Sequence, residues 1–331
     1  MKNLRVLGVC GAQGALLFQF RKNLIANIEP RAVFHTQNEE QWKLNFGDIP
    51  FLRNANLDSI SDIDIVIGSP SCGHSSAFSY SRKKSLGKPK EDPTLTLFVN
   101  AIKTIKPKVF MMENLPKLLD LIPLSEWKNN LNNYELIAHC HSVMDFGNSQ
   151  KSRKRLALIG IRKDYKSISK NFKEIFPVNN PMLCNKISRL VSSELNFREN
   201  EDKKLAMYDY RDKDKKTLTV KQVKKLWLSD FQNEYKWPMK GTKMKTLPGV
   251  YRNKDNSYPL TLRPANRQFN QSGDVLGLDE FKIIMGFPKR FKVFMNLSKK
   301  QYWLNKGRNT LAKGSVYEMG VWFKKCIRKS F

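Results

Sequence analysis

The residue best suited to chemistry is Cys72, in the stretch DIDIVIGSPSCGHSS that runs from Asp62 to Ser76. Ile63, Ile65, Val66 and Ile67 form a short apolar, β-branched run that reads as a strand buried on both faces of a parallel sheet. It stops at Gly68, and a cluster of Gly, Pro and Ser puts Cys72 on a loop just past the carboxyl end of that strand. Open α/β sheets place their ligands there, so the thiol is a candidate nucleophile. The competing reading is a small buried filler, since free cysteine is often buried. Neighbours such as Ser69, Ser71, Gly73, His74 and Ser75 offer such a filler no apolar company. A second buried run, Val109 to Met112, delivers Glu113 and Asn114 to its own carboxyl end, 41 residues after Cys72. A thiol and a carboxyl group on two strand ends can converge as nucleophile and proton donor. Arg153 and Arg155 stand at alternate positions before a third run, so on a strand edge both would point the same way.

These residues need a scaffold that alternates strands and helices. Leu4 to Val9 reads as the first strand, Gly11 and Gly14 as a tight loop, and Ala15 to Ile28 as a helix. A strand, glycine loop and helix is a general device for binding nucleotides, because glycine lets the backbone approach a ligand closely. Ala32 to His35 reads as the second strand. An acid after it could accept hydrogen bonds from a ribose; Gln37, Glu39 and Glu40 are the candidates, and a solvated helix start explains the two glutamates equally well. Helices over Thr94–Ile105 and Leu124–Leu131 and strands over Tyr134–Val143 and Leu156–Ile161 complete the half. The fold expected is α/β, a Rossmann-like, mostly parallel sheet with helices on both faces, joined to a smaller irregular basic domain.

At 331 residues the chain can hold two domains, and it contains no apolar run long enough to cross a membrane. With no signal-peptide pattern, it reads as soluble and cytoplasmic. Its five cysteines show no CxxC pairing, so neither a disulfide framework nor a metal site is expected. The net charge of +29 is very uneven: residues 1–150 carry 17 basic and 14 acidic residues, and residues 151–331 carry 42 and 16. An excess of +26 in the second half suits a partner whose phosphates it neutralises.

The Cys72 loop resembles the catalytic loop of the cytosine-5 DNA methyltransferases, whose strand ends in Gly-x-Pro-x-Cys, here Gly68, Pro70 and Cys72. Further landmarks follow in order. Pro107 and Lys108 precede a strand and the Glu113–Asn114 pair; Arg153 and Arg155 match a Gln-x-Arg-x-Arg segment in which Lys151 takes the glutamine position, with Gln150 one place early. WKLNFGDI resembles a segment that would make Asp48 an adenine contact. YPLTLRPANRQ, LDEFKIIMGFP and KGRNTLAKGSVYEMGVWF resemble the family's late segments, the last with Gly307 and Asn309. The resemblance covers residues 1–162 and 258–323.

The resemblance implies a catalytic and cofactor-binding domain over 1–162, a target-recognition domain over 163–298, and a segment over 299–331 that returns to the first domain. It implies S-adenosylmethionine as cofactor, held by Gly11, Gly14, Asp48, Pro70 and Asn309, although Gln13 stands where the family often has glycine. It implies double-stranded DNA as partner, base flipping, and a monomer acting in a prokaryotic or virus-infected cell, with restriction-modification as one setting. Cys72 would add to carbon 6 of cytosine, Glu113 would assist at N3, and Arg153 and Arg155 would hold the base. The departures at Gln13 and Lys151, with no acid cleanly placed for the ribose, leave open a DNA-binding protein with a decayed site. Because charge does not distinguish the polymers, the same chemistry on RNA is a second alternative. Transfer of another one-carbon group is a third.

Overall fold

The computed structural model describes residues 4–11, 14–30, 36–72, 92–150, 153–190, 204–208, 217–219, 221, 251–252, 268–269, 277–293 and 317–331. The chain divides into two compact units. One comprises Met1–Gly147, Arg153–Asn179 and Gly314–Phe331; the other comprises Asn148–Ser152 and Asn180–Lys313.

The first unit is built on a seven-stranded sheet in the order β3-β2-β1-β4-β5-β7-β6. Its strands are β1 (Val6–Val9), β2 (Leu24–Glu29), β3 (Phe51–Arg53), β4 (Ile65–Gly68), β5 (Val109–Asn114), β6 (Tyr134–Ser142) and β7 (Lys154–Arg162). Neighbours from β3 to β5 are parallel, and β7 runs antiparallel to both β5 and β6. β1, β4 and β5 are buried at every position, which is why β1, β4 and the Val109–Met112 part of β5 read as unbroken apolar runs. Gly68, the last residue of β4, tolerates nothing larger: a Cβ there would stand 2.1 Å from the Val9 carbonyl oxygen and 2.7 Å from the Phe98 ring.

Four helices of this unit follow in the first half: α1 (Thr36–Phe46), α2 (Pro93–Ile105), α3 (Leu118–Leu121) and α4 (Leu124–Asn130). α2 starts where Asp92 caps it, its carboxylate accepting from the Thr94 and Leu95 amides, with Pro93 in the first turn. It ends at Lys106 in the left-handed conformation, φ 51°. Between these points Leu95, Phe98, Ala101 and Ile102 are buried on one face, and Phe98 meets Phe110 of β5 edge-on at 6.1 Å. Phe98→Ala is expected to cost about 3–5 kcal/mol through the cavity it would leave.

Two expectations need correction. The helix read over Ala15–Ile28 is a set of turns with a 3-10 segment at Phe18–Phe20, followed by β2 from Leu24 to Glu29. The second strand therefore arrives earlier than Ala32–His35, a stretch that lies outside the described residues. β3 was not anticipated. Gly14, at φ 78°, closes the turn after β1 under the Phe46 ring, 2.2 Å from where a Cβ would be.

The C-terminal helix of this unit, which we number α7 (Tyr317–Ser330), packs back on the turns after β1. Its Gly320 lies against the Leu16 carbonyl, Trp322 Nε1 donates to Glu174 O at 3.1 Å, and Phe323 stacks obliquely on Phe20 and Phe172.

In the second unit, α5 (Cys184–Leu190) and α6 (Leu278–Ile284) are helical, and two small ribbons form. β8 (Lys204–Tyr208) pairs antiparallel with β9 (Thr217–Thr219), and β10 (Tyr251–Arg252) pairs parallel with β11 (Gln268–Phe269). Buried Phe281, Phe287 and Phe291 give the Leu278–Phe291 segment an apolar anchor, with the last two rings 4.5 Å apart. No helix among the described residues is long and apolar enough to cross a membrane.

Candidate active site

The carboxyl ends of β1, β4 and β5 lie side by side, and the chemistry gathers there. Gly68 pairs with Met112, so Ser69 stands level with Glu113 on the next strand. Ser69 Oγ donates to Glu113 Oε2 at 2.6 Å. On the other flank β7 is antiparallel, and Glu113 faces Ala157. Residues opposite one another in an antiparallel pair share a face, which makes Arg155 the diagonal neighbour of Glu113. Arg155 Nε sits 3.0 Å from Glu113 Oε1, with both side chains largely buried. Glu113 is thus gripped on one oxygen by a hydroxyl and on the other by a guanidinium.

Cys72 lies four residues beyond the end of β4 and is exposed. The protein crowded around it still desolvates its thiol, and this, followed by the charge of Glu113, raises its pKa; Arg155 and Arg153 pull the other way. The thiol therefore keeps its proton at neutral pH, within the electrostatic reach of a carboxylate and two arginines. Arg153 is buried at 3% exposure. Burial first, and repulsion from Arg155 second, lower its pKa to about 9, while Glu113, Cys72 and Glu318 oppose the shift. It remains a cation at pH 7. Asn114, the last residue of β5, donates from Nδ2 to the Pro70 carbonyl at 3.1 Å and so ties the Cys72 loop to β5.

The structure thus brings Cys72, Glu113, Arg153, Arg155 and Pro70 to one edge of the sheet. Gly11, next along that edge, donates its amide to Asn27 Oδ1 at 3.0 Å, and Gly14 closes the turn beyond it. Asp48 does not join them. It is exposed in the turn before β3, and Pro50, two residues on, accepts from the Asn27 amide in mid-β2, so Asp48 lies toward the amino ends of the strands. Asn309 and Gly307 lie outside the described residues, as do Lys151, Gln13 and the basic stretch Arg82–Lys90. Gln150 is in the second unit, where its amide nitrogen bonds Asn148 Oδ1 and Met285 Sδ.

One acid was missed by reading the sequence. Glu29 ends β2, beside the Gly11 loop, and is 3% exposed. Asn27 Nδ2 donates to its Oε1 at 2.9 Å while Asn27 Oδ1 accepts from Gly11, so one amide orients both the loop and the carboxylate. A buried carboxylate at the end of the second strand is the acceptor that a ribose diol requires. The signal was present in LIANIE, a strand-like stretch with polar Asn27 and Glu29 at alternate positions, but it was hidden by the apolar residues before it. Among the described residues no group of three or more His, Cys, Asp or Glu is arranged to hold a metal ion.

Comparison with known proteins identifies the fold and the family. No curated protein sequence matches the chain. In fold it is similar to the Entamoeba histolytica methyltransferase EhMeth, at 15% identity and TM-score 0.64 over 99% of each chain. It is also similar to a variant of Spodoptera frugiperda DNMT2, at 12% identity and TM-score 0.64 over 98% of this chain and 100% of that one. An E. coli prophage-encoded protein assigned as a DNA modification methyltransferase matches 94% of this chain and 98% of its own at 15% identity and TM-score 0.59. At these identities the likeness establishes the fold. The sequence model described as C-5 cytosine-specific DNA methylase matches residues 19–304, which span every strand from β2 to β7 and much of the second unit. The chain therefore belongs to the C-5 cytosine-specific DNA methylase family, and it is a DNA cytosine-5 methyltransferase.

Proposed function

We propose that the chain methylates cytosine in double-stranded DNA through a covalent adduct between Cys72 Sγ and carbon 6 of a base turned out of the duplex. The observation that carries this reading is the grouping of Cys72, Glu113 and Arg155 at adjoining strand ends, with Glu113 fixed between Ser69 and Arg155. Carbon 5 is a weak nucleophile until something adds to carbon 6. The raised pKa of Cys72 keeps one proton on the thiol before substrate arrives. As sulfur bonds to carbon 6, that proton is relayed through Glu113 to N3 and the ring becomes an enamine. Arg155 and Arg153 stabilise the thiolate as it forms and hold the base. S-adenosylmethionine supplies the methyl group that carbon 5 takes. Removal of the carbon 5 proton by a base then expels Cys72 as a thiolate, and return of the N3 proton through Glu113 to sulfur restores both the ring and the thiol.

Glu29, Gly11, Gly14, Pro70 and Asn309 are the residues we assign to holding the cofactor. The donor set fits: a buried acid for ribose hydroxyls and glycine backbone beside it, on strands β2 and β1. Flipping the base costs a few kcal/mol, and the +26 of residues 151–331 is suited to offset it through phosphate contacts. We assign target recognition to residues 180–298, the part of the expected 163–298 domain that lies in the second unit, since residues 163–179 belong to the first.

The deciding experiment uses DNA with 5-fluorocytosine. Fluorine replaces the proton that must leave, so the adduct is expected to survive a denaturing gel, to need S-adenosylmethionine, and to map to Cys72. A trapped peptide carrying any other cysteine would overturn the assignment, and so would equal trapping on matched RNA for the choice of polymer.

A further inference from the structure

The peptide bond between Pro70 and Ser71 is held at both ends, one residue before the nucleophile. Its carbonyl accepts from Asn114 Nδ2 at 3.1 Å, and its N–H donates to Thr94 Oγ1 at 2.8 Å. A peptide plane gripped on both its oxygen and its nitrogen cannot turn, so the direction in which the chain enters Cys72 is set by β5 on one side and α2 on the other. Thr94 is the second residue of α2 and is 3% exposed. Its single hydroxyl hydrogen goes to Asp92 Oδ1 in a short hydrogen bond, which turns the oxygen into an acceptor for Ser71. Asp92 Oδ1 also accepts from the Thr94 amide at 2.9 Å and the Leu95 amide at 3.3 Å. Capping the helix requires only those two amide bonds. The bond from Ser71 is an addition that the helix does not need. The Thr94 carbonyl in turn accepts from Cys10 Sγ at 3.4 Å, so the loops after β1 and β4 both end on this residue. α2 itself is anchored by buried Leu95, Phe98 and Ile102.

We propose that Thr94, oriented by Asp92, is a positioning residue for methyl transfer that aims Cys72 through the Pro70–Ser71 peptide. The inference rests on Cys72 being the nucleophile. It is tested in the full-length protein with Thr94→Val, which keeps the branched shape and removes the hydroxyl, and Thr94→Ser, which restores the hydroxyl. Thr94→Ala replaces Thr94→Val if the latter does not fold.

Under saturating DNA and S-adenosylmethionine, Thr94→Val is expected to lower kcat by about tenfold or more, the scale of a lost orienting contact. KM for both substrates should stay within about twofold, because the hydroxyl touches neither. Thr94→Ser should recover most of kcat, and 5-fluorocytosine trapping should slow in step with turnover. An unchanged kcat in Thr94→Val, an equal fall in Thr94→Ser, or a loss confined to KM would overturn the inference. Cys72→Ala is run beside them. If it still methylates, the nucleophile reading fails and Thr94 has no thiol to aim; if it is dead while Thr94→Val is normal, only the role of Thr94 falls.

Discussion

Cys10 and Cys72 follow two adjacent parallel strands whose last residues, Val9 and Gly68, are register partners. The backbone thus delivers two thiols to the same edge of the sheet, and their surroundings separate them. Cys10 is buried, adopts φ 56°, bonds the Thr94 carbonyl, and has its pKa raised by burial and then by the charges of Glu29 and Asp92. Cys72 is exposed, and although burial of its thiol and Glu113 also raise its pKa, Arg155 and Arg153 counter them. Strand topology supplies the position, and under the proposed mechanism it is exposure and the two nearby arginines that set Cys72 apart from Cys10.

The contrast predicts unequal consequences of substitution. Cys72→Ala should abolish methyl transfer and 5-fluorocytosine trapping while DNA still binds; residual trapping would mean that another thiol can react and that the surroundings do not separate the two. Glu113→Gln should lower turnover by about a hundredfold by removing the proton relay. The same change should make Cys72 of the free protein react with iodoacetamide about threefold to tenfold faster at pH 7.5, because the charge that raises the thiol pKa is gone. Slower alkylation would show that Glu113 does not act on the thiol. Arg155→Ala should do the reverse and move the alkylation profile to higher pH by several-fold in rate, since a raised pKa leaves less thiolate below it. An unmoved profile would leave Arg155 only its contact with Glu113. Cys10→Ala should have the smallest effect, a loss of about 1 kcal/mol of stability on thermal melting, with trapping at Cys72 retained.

How much of this was legible depended on how evenly each strand is buried. β4 and β5 lie inside the sheet, so Ile65–Gly68 and Val109–Met112 read as unbroken apolar runs, and the candidates Cys72 and Glu113 stand just past their ends. β2 is different. Asn27 and Glu29 are buried polar residues, and they break the apolar run where the strand meets the Gly11 loop. Leu16, Leu17, Phe18 and Phe20 precede it in buried turns, and their density imitates one face of a helix. Asp48 was assigned on a local pattern, whereas its distance from the site depends on where β3 begins, which no short pattern encodes. The Arg155–Glu113 pair could be guessed as a convergence, but its geometry needs the direction of β7.

That direction has a consequence for how the protein acquires its activity. β6 and β7 form a local ribbon, in register from Tyr134–Arg162 to Ser142–Lys154, and it carries Arg155. Glu113 belongs to β5, whose pairing with β7 closes a longer loop of chain. Local pairings close at lower entropic cost, so the ribbon is expected to assemble before it docks on β5. The cation and the carboxylate would then be folded separately and meet only at that docking step, so that a half-built molecule has a cysteine loop but no poised thiol. Pulse-labelled hydrogen exchange during refolding should find β6 and β7 amides protected before those that β5 shares with β7, and simultaneous protection would contradict this order.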